Sequence, residues 1–208
     1  ALLCDTTIYF TINQTTTFTI SVNSTTSSLY NGFDVACNGD CHAGIQITPT
    51  AGTPSYLYSL NGGPFQSASN FNNLCANTYI IDAIDNNGCT AQDTITLIEP
   101  TPLTLTMDSV MENCGQGDGQ AIAIVSGGVS SLPYTYTWNS IPLQMTPTAS
   151  NLSSGIYTVV VQDANHGING SVCEVIGDVF VPFTDLILTM SAVSVSCNSG
   201  SDGSATVN

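Results

Sequence analysis

The chain has no lysine and no arginine among its 208 residues, against 15 Asp plus Glu, so its formal net charge is -15. That absence removes every ordinary salt bridge and every cationic side chain that grips phosphate, which excludes nucleic acid and anionic membrane surfaces as partners. Charge of either sign is scarce at 7%, while 42% of residues are hydrophobic, a composition for cored domains and not for an acidic disordered tail. No apolar run approaches the roughly 20 residues a spanning helix requires. No window carries convincing helical periodicity. Ala1-Leu2-Leu3-Cys4 lacks the basic region and full apolar segment of an export signal.

Catalytic and metal-binding patterns are equally thin. Cysteine is plentiful, at eight residues, but no zinc-type Cys-x-x-Cys array is present. The nearest cluster, Cys37, Cys41 and His42, is one ligand short of a structural zinc site. His42 and His166 stand in polar, turn-rich segments with no nucleophile at a telling spacing. The paired carboxylates Asp82 and Asp85 have no matched acid/base partner or cleft-forming insertion beside them. The expectation is that the protein is not an enzyme and has no catalytic residues. The segment Asp82-Ala-Ile-Asp85-Asn86-Asn87-Gly88 offers oxygen ligands without the spacing of a calcium-binding hand. Solvated turn residues are its default reading and calcium the alternative, so no cofactor and no metal site is expected.

What the chain does contain is repetition. Alternating apolar strands open at Phe18, Ile20, Val22, at Leu103, Leu105, Met107 and at Leu186, Leu188, Met190. The equivalent points Phe18, Leu103 and Leu186 are 85 and 83 residues apart (103 - 18 and 186 - 103), the size of an immunoglobulin-like sandwich. Each copy continues with an apolar strand (Ile45–Thr48; Ala121–Val125) and an aromatic one (Tyr56–Leu60; Tyr134–Trp138). A β-branched run follows (Thr78–Ile81; Ile156–Val161), ending at an Asp before an Asn/Gly turn. The fold predicted is all-β: tandem immunoglobulin-like β-sandwich domains with incomplete terminal strands. Residues 1–14 read as the closing strand of a preceding or neighbouring repeat, 15–99 and 100–182 as two full repeats, and 183–208 as the opening strands of an incomplete third.

The cysteines follow the same period. Cys4, Cys89 and Cys173 each precede a closing strand, and Cys37, Cys114 and Cys197 occupy the opening position. Disulfides in an oxidising, extracellular setting are the natural reading of this framework. Repeat logic pairs Cys37 with Cys89 and Cys114 with Cys173, leaving Cys41 and Cys75 as an extra bridge of the first repeat. Cys4 and Cys197 then pair only between successive units. The apolar positions Ile8, Phe10 and Ile12 at one end, and Leu186, Leu188, Met190, Ala205 and Val207 at the other, belong to terminal strands expected to lack a partner in their own chain. Unpaired edges attract another chain, and strand addition completes them. A head-to-tail contact that does not close on itself makes a filament. The expected partners are therefore copies of the chain, or further repeats of it. The alternative reading is a stalk repeat that binds glycans or surfaces.

Tyr56, Tyr58, Tyr134, Tyr136 and Trp138 have a spacing of two, which makes core packing the expectation over a sugar-stacking platform. Tyr79 and Tyr157 read as tyrosine corners that bond a loop backbone.

The segments Cys114-Gly-Gln-Gly-Asp-Gly, Ser126-Gly127-Gly128, Tyr134-Thr-Tyr136-Thr-Trp138, Asn151-Leu152-Ser-Ser-Gly155-Ile-Tyr157 and Asp163-Ala-Asn with the later Cys173 together resemble the SprB-type repeat of surface proteins in gliding Bacteroidetes and related bacteria. The likeness is close over 114–173 and looser over 37–89, where Leu60 stands in place of the Trp and Asn77 in place of the Gly. The resemblance implies secreted tandem sandwiches in long surface adhesins or filaments, with repeats that act as spacers more often than as readers of a ligand. It also implies O-glycan acceptors of the form Asp-Ser/Thr followed by an apolar residue or Thr, at Thr6, Thr94 and Ser109.

Overall fold

The computed structural model describes residues 16–129, 131–184, 189–194, 196 and 201–207. They fall into two compact units, one running through Pro102 and including Asn165–Cys173, the other made of Leu103–Ala164 and the chain from Glu174 onward.

Among the described residues the first unit is a sandwich of six strands: β1 (Thr19–Ser24), β2 (Ala43–Thr50), β3 (Leu57–Leu60), β4 (Asn70–Leu74), β5 (Asn77–Ile84) and β6 (Thr90–Leu97). Its two antiparallel sheets have the orders β1-β2-β4 and β3-β5-β6. Alternation places Tyr79, Ile81 and Ala83 of β5 inward against Ile45 and Ile47 of β2, and these fully or nearly buried side chains form the core with Val35, Tyr58 and Leu97. That arrangement, three strands against three with the aromatic strand in the second sheet, is the immunoglobulin-like plan.

The second unit contains β7 (Thr101–Val110), β8 (Glu112–Asn113), β9 (Gly119–Gly128), β10 (Thr135–Trp138), β11 (Thr148–Leu152), β12 (Gly155–Gln162), β13 (Glu174–Val181) and β14 (Phe183–Thr184). Its sheets are β7-β9-β11 and β10-β12-β13, with β14 and β8 adding a short parallel pair. Strand for strand, β7, β9, β10, β11, β12 and β13 repeat the topology of β1 to β6. Trp138 is fully buried among Ala121, Ala149, Val159, Val161 and Val181, and its indole N–H donates to the Thr146 carbonyl at 2.9 Å. Leu60 stands at the matching end of β3 and is only half-buried.

β4 and β11 were not legible in the sequence. Asn70-Phe-Asn-Asn-Leu and Thr148-Ala-Ser-Asn-Leu are poor in β-branched residues, and each carries a left-handed Asn, Asn73 (φ 58°) and Asn151 (φ 56°). Both pairings, β4 with β2 and β11 with β9, have a register irregularity in this stretch. Asn tolerates that conformation at low cost, so the irregularity recurs as a built feature of the repeat.

A last pair, β15 (Met190–Val193) and β16 (Ser204–Val207), forms an antiparallel hairpin, with Met190 opposite Val207 and Ala192 opposite Ala205. This corrects the expectation that Met190, Ala205 and Val207 have no partner within the chain. Ile8, Phe10, Ile12, Leu186, Leu188, Cys4, Cys197 and Thr6 lie outside the described residues.

Candidate functional site

With no lysine or arginine in the chain, Asp85, Glu112 and Asp163 accept from backbone N–H groups. Asp85, at the end of the β-branched strand β5, accepts from the backbone of Thr53 (2.8 Å), Asn87 (2.9 Å) and Cys89 (2.8 Å). These bonds, Thr53 first, hold its pKa below the usual carboxylate value. Glu112 is buried and bonds the backbone N–H groups of Gly117 (2.7 Å) and Ser154 (2.6 Å). Asp163 matches Asp85 in the second repeat and accepts from Val129 at 3.1 Å. In each unit this aspartate braces the turn that follows the second strand. Gly52 and Gly128 sit in those turns with φ of +72° and +56°, and a Cβ at Gly128 would lie 2.5 Å from Asp163 Oδ2. The Gly-Gly and Asp elements of the repeat thus serve one turn.

The tyrosines serve the same frame. Tyr56 O–H donates to the Ala51 carbonyl (3.0 Å) and Tyr134 O–H to that of Gly127 (2.7 Å). Tyr79 donates to Cys75 (3.0 Å) and Tyr157 to Ser153 (2.9 Å), each four residues upstream, which is the tyrosine-corner geometry. Burial raises the pKa of Tyr58 and Tyr136, the neighbouring Tyr56 and Tyr134 adding to it. These aromatics therefore pack and brace; they do not line a flat stacking surface. Asp82 is bonded to Gln92 Nε2 at 2.7 Å, and Asp85 spends both oxygens on backbone donors. Among the described residues no three Asp, Glu, His or Cys groups converge as metal ligands.

The cysteines depart from the repeat logic. Cys41 and Cys75 are bonded, with their neighbouring strands β2 and β4 paired. Cys37, however, bonds Cys173 and not Cys89, with a Cα–Cα distance of 5.3 Å. Cys89 and Cys114 are exposed free thiols. The predicted pairs Cys37–Cys89 and Cys114–Cys173 are thus corrected. Both cysteines of the Cys37, Cys41, His42 trio are in disulfides, which leaves no thiolate for zinc.

The physical reason lies in the loop between β12 and β13, which is longer than its counterpart between β5 and β6. Its residues 165–173 belong to the first unit. Asn165 is fully buried there. Its amide donates to the carbonyls of Tyr30 (3.2 Å) and Ala36 (2.9 Å) and its oxygen accepts from Asn31 (2.7 Å). Asn169 donates to Tyr30 O–H at 3.0 Å, and Ile168 packs with Tyr30, Phe33 and Ala36. A buried amide with three partners fixes one register, and that register delivers Cys173 to Cys37. Reading spacing within one repeat could not reveal a loop that docks elsewhere; the extra length between Asp163 and Cys173 was the available signal.

Two other features concern surfaces. The described side chains of β15 and of β16 are exposed, Met190 at 75% and Val193 at 65%. Of the sugar-acceptor candidates, Thr94 is exposed on β6 and Ser109 half-buried on β7, each with its N–H bonded to the preceding aspartate at 2.8 Å.

The structure therefore defines a protein of tandem immunoglobulin-like sandwiches. It is similar to the SprB repeat, whose family model matches residues 33–65, within the copy whose aromatic strand ends in Leu60. SprB repeats occur in cell-surface proteins. No curated protein matches the chain. A solved structure of three N-terminal domains of the bacteriophage RB49 Highly Immunogenic Outer Capsid protein (Hoc) is similar at 12% identity and a TM-score of 0.47, over 92% of this chain and 68% of that one. Among the described residues, no helix is long and apolar enough to cross a membrane.

Proposed function

We propose that the chain is a structural subunit of an extracellular bacterial fibre, assembled head to tail by inter-subunit β-strand complementation and stabilised by disulfides. The observation that carries this reading is the β15–β16 hairpin. A two-stranded sheet is marginal in water on its own, and this one exposes apolar residues with no third strand beside it among the described residues. An added strand from a second copy, for which the sequence offers the apolar alternation Ile8, Phe10, Ile12, supplies the missing edge hydrogen bonds and covers Met190 and Val193. The bracing of turns in both units by buried carboxylates and by tyrosines suits a load-carrying spacer.

The test is light scattering of the 208-residue chain beside its Phe10→Asp variant. Polymer from the parent chain and loss of polymer in the variant support complementation, whereas equal polymer in both contradicts it. A second reading, a stalk repeat of a surface adhesin, is favoured by the SprB match at 33–65. It predicts monomers that bind glycan-coated surfaces.

Covalent glycans fit the same role, shielding a long fibre. Thr94 offers an exposed hydroxyl beside Asp93. Mass spectrometry of the native protein's peptide containing Asp93-Thr94-Ile95 is expected to exceed the bare peptide mass; agreement with the bare mass removes the glycan assignment.

A further inference from the structure

We infer that the outer face of the β10-β12-β13 sheet is a docking surface for a different protein, one whose matching β surface is apolar and carries lysine or arginine opposite Asp178. Every residue involved lies in the second unit, so the surface stands whether or not the chain forms a fibre.

Alternation along β12 and β13 sends Val159, Val161 and Val181 into the core and turns Ile156, Val160, Ile176 and Phe180 outward. Ile156 is 69% exposed, Ile176 59% and Phe180 56%. The register sets Ile156 opposite Phe180 and Val160 opposite Ile176, which makes two cross-strand apolar pairs, with Thr158 opposite Asp178 between them. Apolar side chains scattered singly are ordinary on a surface, but a contiguous group on a regular sheet marks an interaction site.

The first unit folds without such a patch. Tyr79 and Tyr157 are the equivalent corner residues, so Thr78 matches Ile156 and Asp82 matches Val160. Thr78 stands opposite Thr96 and Asp82 opposite Gln92, with Ile80 opposite Thr94 between them. These polar pairs satisfy each other: the two threonine hydroxyls are 2.9 Å apart, and Gln92 Nε2 donates to Asp82 at 2.7 Å. The same topology therefore needs no aliphatic or aromatic side chain at either pair, and the apolar surface of the second unit is left for a partner to bury.

Charge selects that partner. Asp178 is exposed in the middle of the patch, with Ile176 and Phe180 on either side of it along β13. Gln162 and Glu174, at the end of the face, are already bonded to each other at 3.0 Å. Covering the apolar pairs takes the Asp178 carboxylate out of water, which is costly unless a cation meets it. A second copy brings neither lysine nor arginine, and face-to-face packing of two copies would enclose two like charges. The net charge of -15 likewise repels an anionic membrane surface. A flat three-stranded face packs against another sheet or an extended strand, and a lysine or arginine on that element completes the match.

The experiment probes the 208-residue chain with short synthetic peptides bearing a fluorophore and a photo-crosslinker. One alternates valine and lysine, one serine and lysine, and one valine and glutamate. Fluorescence polarisation reads binding, and mass spectrometry after peptic digestion locates the cross-link. The valine–lysine peptide is expected to bind and to cross-link within β12 and β13. The double variant Ile176→Gln, Phe180→Thr, which copies Gln92 and Thr96 of the first unit, should weaken that binding by about tenfold or more. Asp178→Thr, copying Thr94, should narrow the preference for lysine over glutamate. Emission from Trp138, the one tryptophan and fully buried, verifies that each variant folds. Equal binding of the serine–lysine or the valine–glutamate peptide, cross-links spread over both units, or no cross-link from any peptide overturns the inference. Unchanged light scattering by the double variant supports a surface separate from any contact between copies, whereas loss of polymer in it assigns the face to such a contact and overturns the inference. Loss of polymer in Phe10→Asp alone bears only on the fibre reading.

Discussion

The two units carry the same six-strand topology and secure it by different chemistry. The second fills its core with Trp138, fully buried and hydrogen-bonded, and has no disulfide of its own among the described residues. The first has Leu60 in the corresponding place and instead holds the Cys41–Cys75 bridge and the Cys37–Cys173 clasp. Equivalent positions in a repeat thus trade buried aromatic volume against covalent constraint. The turn and corner hydrogen bonds, present in both, are what the fold itself demands.

The contrast can be broken one unit at a time. Cys37→Ser with Cys173→Ser should cost about 5 kcal/mol, and Cys41→Ser with Cys75→Ser about 4 kcal/mol, in the chain-entropy account of loop closure. Hydrogen exchange is the readout, with loss of protection concentrated in the first unit, around Tyr30 to Cys37 for the clasp. Equal loss in both units would mean that the bridges do not define the difference. Trp138→Ala should reverse the pattern, costing about 4 kcal/mol for a fully buried indole, with protection lost from β10, β12 and β13. Gly128→Ala forces a side chain into a left-handed position against Asp163 and should cost about 2 kcal/mol in denaturant unfolding; no change would show that the turn relaxes. Tyr79→Phe and Tyr157→Phe each remove one corner hydrogen bond and should cost about 1 kcal/mol apiece, and a similar effect in both units is the sharpest sign that the corner belongs to the common frame.

Acid dependence sharpens the comparison further. The folded pKa of Asp85 is lowered by its backbone donors, so its contribution is fully present above the ordinary carboxylate value near 4 and is lost as pH falls through the lower folded value. Asp118 in the second unit is lowered in the same way by the backbone and side-chain amide of Asn113. Asp85→Asn should flatten the pH dependence of the first unit's exchange below pH 4 and leave the second unit's unchanged.

Much of this architecture is written in local pattern. Alternation at Leu103, Leu105 and Met107, the β-branched runs of β5 and β12, and Tyr79 and Tyr157 four residues after their carbonyl partners all follow from short-range rules, and the repeat period places them twice. β4 and β11 escaped because their Asn-rich segments carry little strand propensity and their register is irregular. The clasp escaped for a different reason. Pairing cysteines by repeat position assumes that each loop stays with its own sandwich, whereas Asn165, Ile168 and Asn169 carry the 165–173 loop into the first unit through contacts no spacing rule encodes.

Electron microscopy of the native material tests the central claim most directly. The account predicts unbranched filaments with a repeat set by one chain, while discrete single-chain particles at every concentration would contradict it.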